Sequence, residues 1–336
     1  MRVLLLGDAK GNSGPSNVHK AFLEYWPDGD EIDFVRAQDK FGFICEGLNK
    51  GLKADVVLSP LMNLPCILVQ DVLHALGKPI VCFNHGYVPY ENEINSLGHS
   101  RWWLDRYVAA LQSADRIVAN SDFQRNFILR FQPQLEDRID HITLGVDRFE
   151  IKQSNPCVAK PVVTVTGGNR YVKGNDIVAR AVALLSSEGN DLEFRVYGRS
   201  YESGIELFRS LPKGFGEDCM RGHIDRESFC NSLNQSSLFV MNSRHDSFGL
   251  SLFDALKEGC SVLASRQCGA LELLQVESCD VVEDCEDVQE VAQKIEHLLD
   301  HPNANRLYES IDFGKTGWDK QVIKLREICR QAMECK

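Results

Sequence analysis

The 336-residue chain has no C-x-x-C pair, no G-x-G-x-x-G, no G-x-x-x-x-G-K-[ST], no excess of positive charge and no window of eighteen uninterrupted apolar residues. Each absence removes a class of protein. Without the glycine spacings there is neither the fingerprint of a plain NAD-dependent oxidoreductase nor a P-loop. With 37 basic against 48 acidic residues, a formal net charge of -11, the chain lacks the field that displaces counterions from nucleic acid. A nucleic-acid partner is therefore not expected, nor broad attraction to anionic lipid. No apolar run suffices for a membrane-spanning helix, and that of the opening MRVLLLGDAKG is too short for a signal peptide.

Cysteine is not scarce, but the twelve are scattered, from Cys45, Cys66, Cys82 and Cys157 through to Cys335, and none takes the paired Cys/His spacing of a zinc site. Reduced thiols in a cytoplasmic protein, many of them buried as small apolar groups, are the expectation. The length suggests two domains of about 150 residues each.

Short aliphatic runs alternate with longer helical patterns, as in βαβ units and parallel sheets. RVLLLG, EIDFV, DVVLS, IVCFNH, RIVANS and HITLG read as strands of the first half. VVTVTGG, LEFRVYG, SLFVMNS, SVLAS and DVVED read as strands of the second. The polar segment between them, with two prolines, divides the chain into a first Rossmann-like domain (1–148), a linker (149–160) and a second Rossmann-like domain (161–316). The final helical segment (317–336) carries apolar residues at three- and four-residue steps. Ligands of such sheets bind beyond the carboxyl ends of the strands.

Four strand ends carry chemistry. In SRHDSFGLSLFDALKEG, Asp246 lies on a strand-to-helix turn and Asp254 inside the helix that Gly259 closes. Residues seven or eight apart return to nearly one helix face, and the amides of Gly249, Leu250 and Ser251 lie where a helix N-terminus receives anionic oxygens. Spacing alone fits an N-cap aspartate followed by a solvated acid equally well. In GGNRYVKGN, Arg170 and Lys173 precede another helix and could clamp a diphosphate, although solvated surface cations are the plainer account. KGNSGPSNV, with Asn12, Ser13 and Gly14, lets a ligand approach backbone after the first strand. His85 and Gly86 end a strand, where a lone histidine is as often structural. Asp28 and Asp30 in DGD read as an exposed turn rather than a metal-binding pair.

These pieces, in this order, resemble the retaining GT-B glycosyltransferases of glycosyltransferase family 4. The resemblance runs through the glycine-rich loop, HG, SADRIVANS, ITLGVD, KGNDIVARAVALL, FRVYG, RGHIDRESF and SSLFVMNSRHDSFGLSLFDALKEGCSVLAS. It implies a GT-B architecture: two doubly wound Rossmann-like parallel-sheet domains facing a central cleft, with a nucleotide-sugar in the second and an acceptor site on the first. Asp246 would match the acid contacting donor-sugar hydroxyls, and Asp254 the acid holding the ribose. Backbone around Phe248, Gly249 and Leu250 would touch sugar and phosphate. Lys173, with Arg170, would stabilise charge on the leaving diphosphate, and His85 would stand near the sugar. The base pocket would lie near Gly198 of YGRS and His223 and Ile224 of GHID. The resemblance also implies retention of configuration, no metal, and a last helix returning toward the first domain.

The sequence departs from the family pattern in two places. Both acids of the motif are aspartates where the family usually has glutamates, and Arg170 lies two residues beyond Gly168, where an arginine would be expected. These departures keep in view a catalytically degenerate sugar-nucleotide-binding or partner subunit, alongside another GT-B reaction such as a nucleotide-sugar epimerase or a phosphorylase. On the acceptor side, KFGFICEGLNKGLK and SRWWLDRYV, with Trp102 and Trp103, would suit peripheral contact with a membrane if the acceptor were a lipid. Core packing with a cationic edge accounts for them more simply.

Overall fold

The computed structural model describes residues 1–11, 13–154 and 160–334. The chain forms two compact units: Met1–Tyr90, Gly98–Asp147 and Phe313–Lys336 make the first, and Glu91–Leu97 with Arg148–Asp312 the second.

The first unit is a parallel sheet of β1 (Arg2–Leu5), β2 (Glu31–Phe34), β3 (Val56–Ser59), β4 (Ile80–Asn84), β5 (Arg116–Ala119) and β6 (Ile139–His141), in the order β2-β1-β3-β4-β5-β6. Every residue of β3 and β4 is buried, which is why they read as unbroken apolar runs rather than alternating ones. Ser13, Asp39, Asn63, Ser100 and Ser121 each cap a helix, the side chain accepting from the amide three residues on. The helix Trp318–Glu334 covers β3, β4 and β5. Trp318 lies so close to Gly145 that a Cβ there would fall 2.2 Å from its ring.

The second unit is a parallel sheet of β7 (Val162–Thr166), β8 (Glu193–Tyr197), β9 (Met220–Gly222), β10 (Leu238–Met241), β11 (Ser261–Ser265) and β12 (Val281–Val282), in the order β12-β11-β10-β7-β8-β9. Its core is aliphatic, with Val163, Val165, Val178, Val196, Leu238 and Leu263 among the fully buried side chains. Strand order reverses between β1 and β3 in the first sheet and between β7 and β10 in the second. These reversals are where open α/β sheets bind ligands. The ten cysteines among the described residues are all free thiols, and Cys66, Cys82, Cys219, Cys260, Cys268 and Cys329 are buried.

Several expectations need correcting. HITLG is not a strand beyond His141: Ile142 still donates to the Ala119 carbonyl (3.0 Å), but Val146 turns away to donate to that of Thr316 (2.8 Å). β9 is a three-residue strand too short to show in the pattern. The second unit begins at Arg148 rather than 161, because Lys152 donates from its amide to the Lys257 carbonyl and from Nζ to Glu258, each at 2.9 Å or less. Part of the expected linker, 155–159, lies outside the described residues. The first unit resumes at Phe313 rather than 317. DGD does form a turn with Asp28 exposed, but the Asp30 carboxylate is 6% exposed and meets Arg326 at 2.5 Å and Arg330 at 3.2 Å. Trp103 packs on Tyr107, whereas Trp102 and Phe41 are exposed rather than part of a core.

Candidate functional site

The turn after β7 is built from backbone crowding. Gly168 and Gly174 both have left-handed φ, +66° and +62°. A Cβ on Gly168 would fall 1.9 Å from the Arg199 carbonyl oxygen, and one on Gly174 2.0 Å from that of Asn242. Only glycine lets the turn press onto the loops after β8 and β10. Asn175 locks the turn from within, donating to the Thr166 and Gly168 carbonyls at 3.0 and 2.7 Å.

This placement brings Lys173 to Asp246. Nζ lies 2.6 Å from Oδ2, with the two side chains only 19% and 13% exposed. Burial by itself would raise the Asp246 carboxyl. The Lys173 charge and hydrogen bond, with the Phe248 amide at 3.3 Å, outweigh that and hold it below the ordinary carboxylate range. The pair is partly desolvated and stands beyond the β7/β10 reversal.

Arg244 secures the same turn from beneath. Its amide donates to the Val172 carbonyl (2.8 Å), and its guanidinium to the Tyr171 carbonyl, while the ring of Tyr171 lies 3.6 Å from the guanidinium carbon. Two further donors meet Asp176 at 2.8 and 3.0 Å, and two meet Glu286 at 2.5 and 3.0 Å. Arg244 stands within the motif, but nothing in its spacing separates a buried clamp from a surface cation. Glu91 was also missed. Burial raises its carboxyl despite the charges of Arg170 and Lys173. Its only sequence signal was its place in the YENE that follows HG.

The remaining predicted residues of this unit fall as follows. Arg170 lies over the Tyr201 ring at 5.5 Å, and its buried Nε has no hydrogen-bond partner among the described residues. Phe248 is 1% exposed and anchors the turn. Its carbonyl accepts from the Ala270 amide at 2.6 Å, so residues 267–270 after β11 support the motif. Gly249, with φ +97°, would meet the Met241 sulfur at 2.6 Å if it carried a Cβ. Leu250 is the N-cap of a helix that starts at Ser251. Asp254 is not beside Lys173; it pairs with Arg226 at 2.6 Å. Gly198 donates to the Gly222 carbonyl (2.9 Å), which brings the end of β8 beside His223, exposed, and Ile224, half-buried.

In the first unit, Ser13 caps the helix Gly14–Glu24, and its Oγ lies 2.7 Å from that of Ser16, which donates to Asp8 at 2.8 Å. Asp8 also accepts from the amides of Lys10 and Gly11. A Cβ on Gly14 would meet open space; Asn12 lies outside the described residues. His85 stands at the end of β4 with its Nε2 3.0 Å from Nε2 of His19, a wholly buried residue that sequence reasoning passed over. Burial holds both rings below the ordinary histidine range, His19 to about 4. Among the described residues, no three His, Cys, Asp or Glu side chains gather as a metal ion would require.

Comparisons with known proteins bear on the family and the fold. The family model described as "Family 4 Glycosyltransferase in conflict systems" matches residues 108–319, and that described as "Glycosyltransferase Family 4" matches residues 40–148. A D-inositol 3-phosphate glycosyltransferase 1 from Catenulispora acidiphila is 24% identical over 251 residues, 67% of this chain and 59% of that protein. Across the curated relatives it matches, the chain spans 55–65% of their own length. A sucrose-phosphate synthase from Thermosynechococcus elongatus has a similar structure, with a TM-score of 0.74 at 15% identity over 100% of both chains. HepE from Anabaena, solved in complex with UDP and glucose, gives 0.68 at 14% identity, again over 100% of both. At such identities these structures speak for the fold, which is that of the GT-B proteins. The first family model alone covers well over half of the sequence, and the chain belongs to glycosyltransferase family 4.

Proposed function

We propose that the protein transfers a sugar from a nucleotide-sugar to an acceptor hydroxyl, with retention of anomeric configuration. The observation that carries this reading is the Lys173–Asp246 pair, 2.6 Å apart, at the strand reversal of the second sheet. Breaking a glycosidic bond to a nucleoside diphosphate moves negative charge onto the departing phosphate. A fixed ammonium there stabilises the transition state more than the ground state. Asp246 orients Lys173 before the donor arrives, and its carboxylate accepts hydrogen bonds from sugar hydroxyls. Asp254 takes the ribose hydroxyls in exchange for Arg226, and the loops at Gly198 and His223 receive the base. Arg170 adds charge beside the diphosphate, and His85 meets the sugar.

Retention follows, in this reading, from the leaving phosphate oxygen taking the proton of the incoming hydroxyl on the same face. No metal takes part, because Lys173 and Arg170 neutralise the diphosphate. The acceptor is a glycan, a glycolipid or a small molecule, and the protein acts in the cytoplasm. For a lipid-borne acceptor, Phe41 and Trp102 are exposed apolar side chains that would meet the membrane. No described helix is long and apolar enough to cross it.

Thermal unfolding against UDP, GDP, ADP and their sugar conjugates tests the reading, in parallel with Lys173→Ala. A ligand at about a hundred times its dissociation constant adds about 2.7 kcal/mol. Stabilisation by one nucleotide series, reduced in the variant, is the expected result. No stabilisation of the folded protein by any of them would overturn it. Binding without turnover on any acceptor would make the chain a degenerate partner subunit. Release of nucleoside diphosphate only when acceptor is present marks a transferase, whereas conversion of the donor into an epimeric nucleotide-sugar without acceptor would favour an epimerase.

A further inference from the structure

A main-chain carbonyl can only accept, so the 2.8 Å contact between Nδ1 of His19 and the Asp8 carbonyl requires a proton on that nitrogen. The other nitrogen, Nε2, faces Nε2 of His85 at 3.0 Å, the ring centroids 4.9 Å apart and the planes at 73°. Two nitrogens at that distance share one proton. A neutral His19 that carries its proton on Nδ1 has a bare Nε2, so the shared proton belongs to His85. An imidazolium at His19 would reverse this order. Its enclosure opposes that: His19 is 0% exposed, packed against Phe22, and so close to Gly7 that a Cβ there would meet its ring at 2.5 Å. Burial lowers the pKa of both rings, although the Asp8 carboxylate pulls that of His19 the other way.

We propose that His19 is a positioning residue that fixes the tautomer of His85, holding its proton on Nε2 and leaving Nδ1 bare as a hydrogen-bond acceptor. The chain of donors runs from His85 Nε2–H to His19 Nε2, and from His19 Nδ1–H to the Asp8 carbonyl. An unprotonated Nδ1 can accept a hydrogen bond and cannot donate one. The tautomer rests on the contacts of His85 with His19 and of His19 with the Asp8 carbonyl. Its consequence for catalysis rests on the reading that His85 meets the donor sugar, and the experiment separates the two.

The protein is labelled with 15N histidine and the His85 ring nitrogens are assigned near neutral pH from long-range proton–nitrogen correlations. The expected wild-type pattern is a protonated Nε2 and a bare Nδ1. His19→Leu, which can accept nothing, should lose that preference. His19→Gln, whose amide oxygen accepts from His85 while its nitrogen donates to Asp8, should keep it. A proton on Nδ1 of wild-type His85, an imidazolium there, or an unchanged pattern in His19→Leu would each overturn the proposal. If His19→Leu does not fold, the wild-type pattern alone decides. Turnover is measured on the same three proteins. A roughly tenfold fall in His19→Leu, recovered in His19→Gln, matches the loss of one hydrogen bond. A changed tautomer with unchanged turnover would leave the His19 relay standing and remove His85 from the sugar site.

Discussion

Arg244 and Asp176 form a two-pronged ion pair, at 2.8 and 3.0 Å, with side chains 6% and 5% exposed. A charge pair so enclosed is costly to break from one side, since the abandoned partner stays buried. The same guanidinium holds Tyr171 and Glu286, so Arg244 ties the Lys173 turn to the helix behind it.

Arg244→Met should therefore lower unfolding free energy by about 3–5 kcal/mol, read by urea titration. Arg244→Lys should not restore it, because an ammonium cannot serve two carboxylates and a carbonyl in one plane. Recovery by lysine would show that charge alone is what the position supplies.

At the Lys173–Asp246 pair, stability and activity should part. Lys173→Met strands a nearly buried carboxylate, whereas Lys173→Met with Asp246→Asn removes both charges. The double variant is expected to unfold near the wild-type midpoint while the single one falls below it. Donor turnover should drop about 100- to 1000-fold in both. Activity returning in the double variant would deny Lys173 its role at the leaving group.

Acid should weaken the first unit through its histidines. His19 is held at about 4 by burial against an ordinary 6.5, so the unfolded chain binds the proton first. The stabilisation is complete above about 6.5 and is lost as pH falls toward 4. A gap of that size corresponds to about 3 kcal/mol. Denaturant midpoints of wild type and His19→Gln across this window should converge as the pH drops. Parallel curves would contradict the assignment.

Gly174→Ala combines a left-handed φ of +62° with a Cβ 2.0 Å from the Asn242 carbonyl. The strained backbone alone is worth about 1–3 kcal/mol, and the turn must move away from β10. The melting temperature should fall and nucleotide binding should weaken with it. A melting temperature equal to wild type would mean the turn has slack that its contacts do not suggest.

The parallel sheets were legible in the sequence because buried strands must be apolar on both faces, as VVLS, IVCFN and SVLAS are. The positions of Lys173, Asp246 and His85 beyond strand ends were legible too, and it is there that open α/β sheets place ligands. What stayed hidden depends on partners remote in sequence. His19 looks like a helix-face residue until β4 brings His85 to it. Arg244 is a surface-like cation until Asp176 and Glu286 close on it. Asp30 read as a turn acid because Arg326, on the last helix, lies 296 residues away.

The return of Trp318–Glu334 to the first sheet makes the second unit an insertion within the first in covalent terms. A fragment ending at Asp147 would leave β3, β4 and β5 without their cover and Gly145 without Trp318, so dissecting this protein into halves by a single cut would yield one incomplete piece. A circular permutant opened in the polar segment after β6, with the original ends joined, would instead keep the last helix on the first unit's own chain.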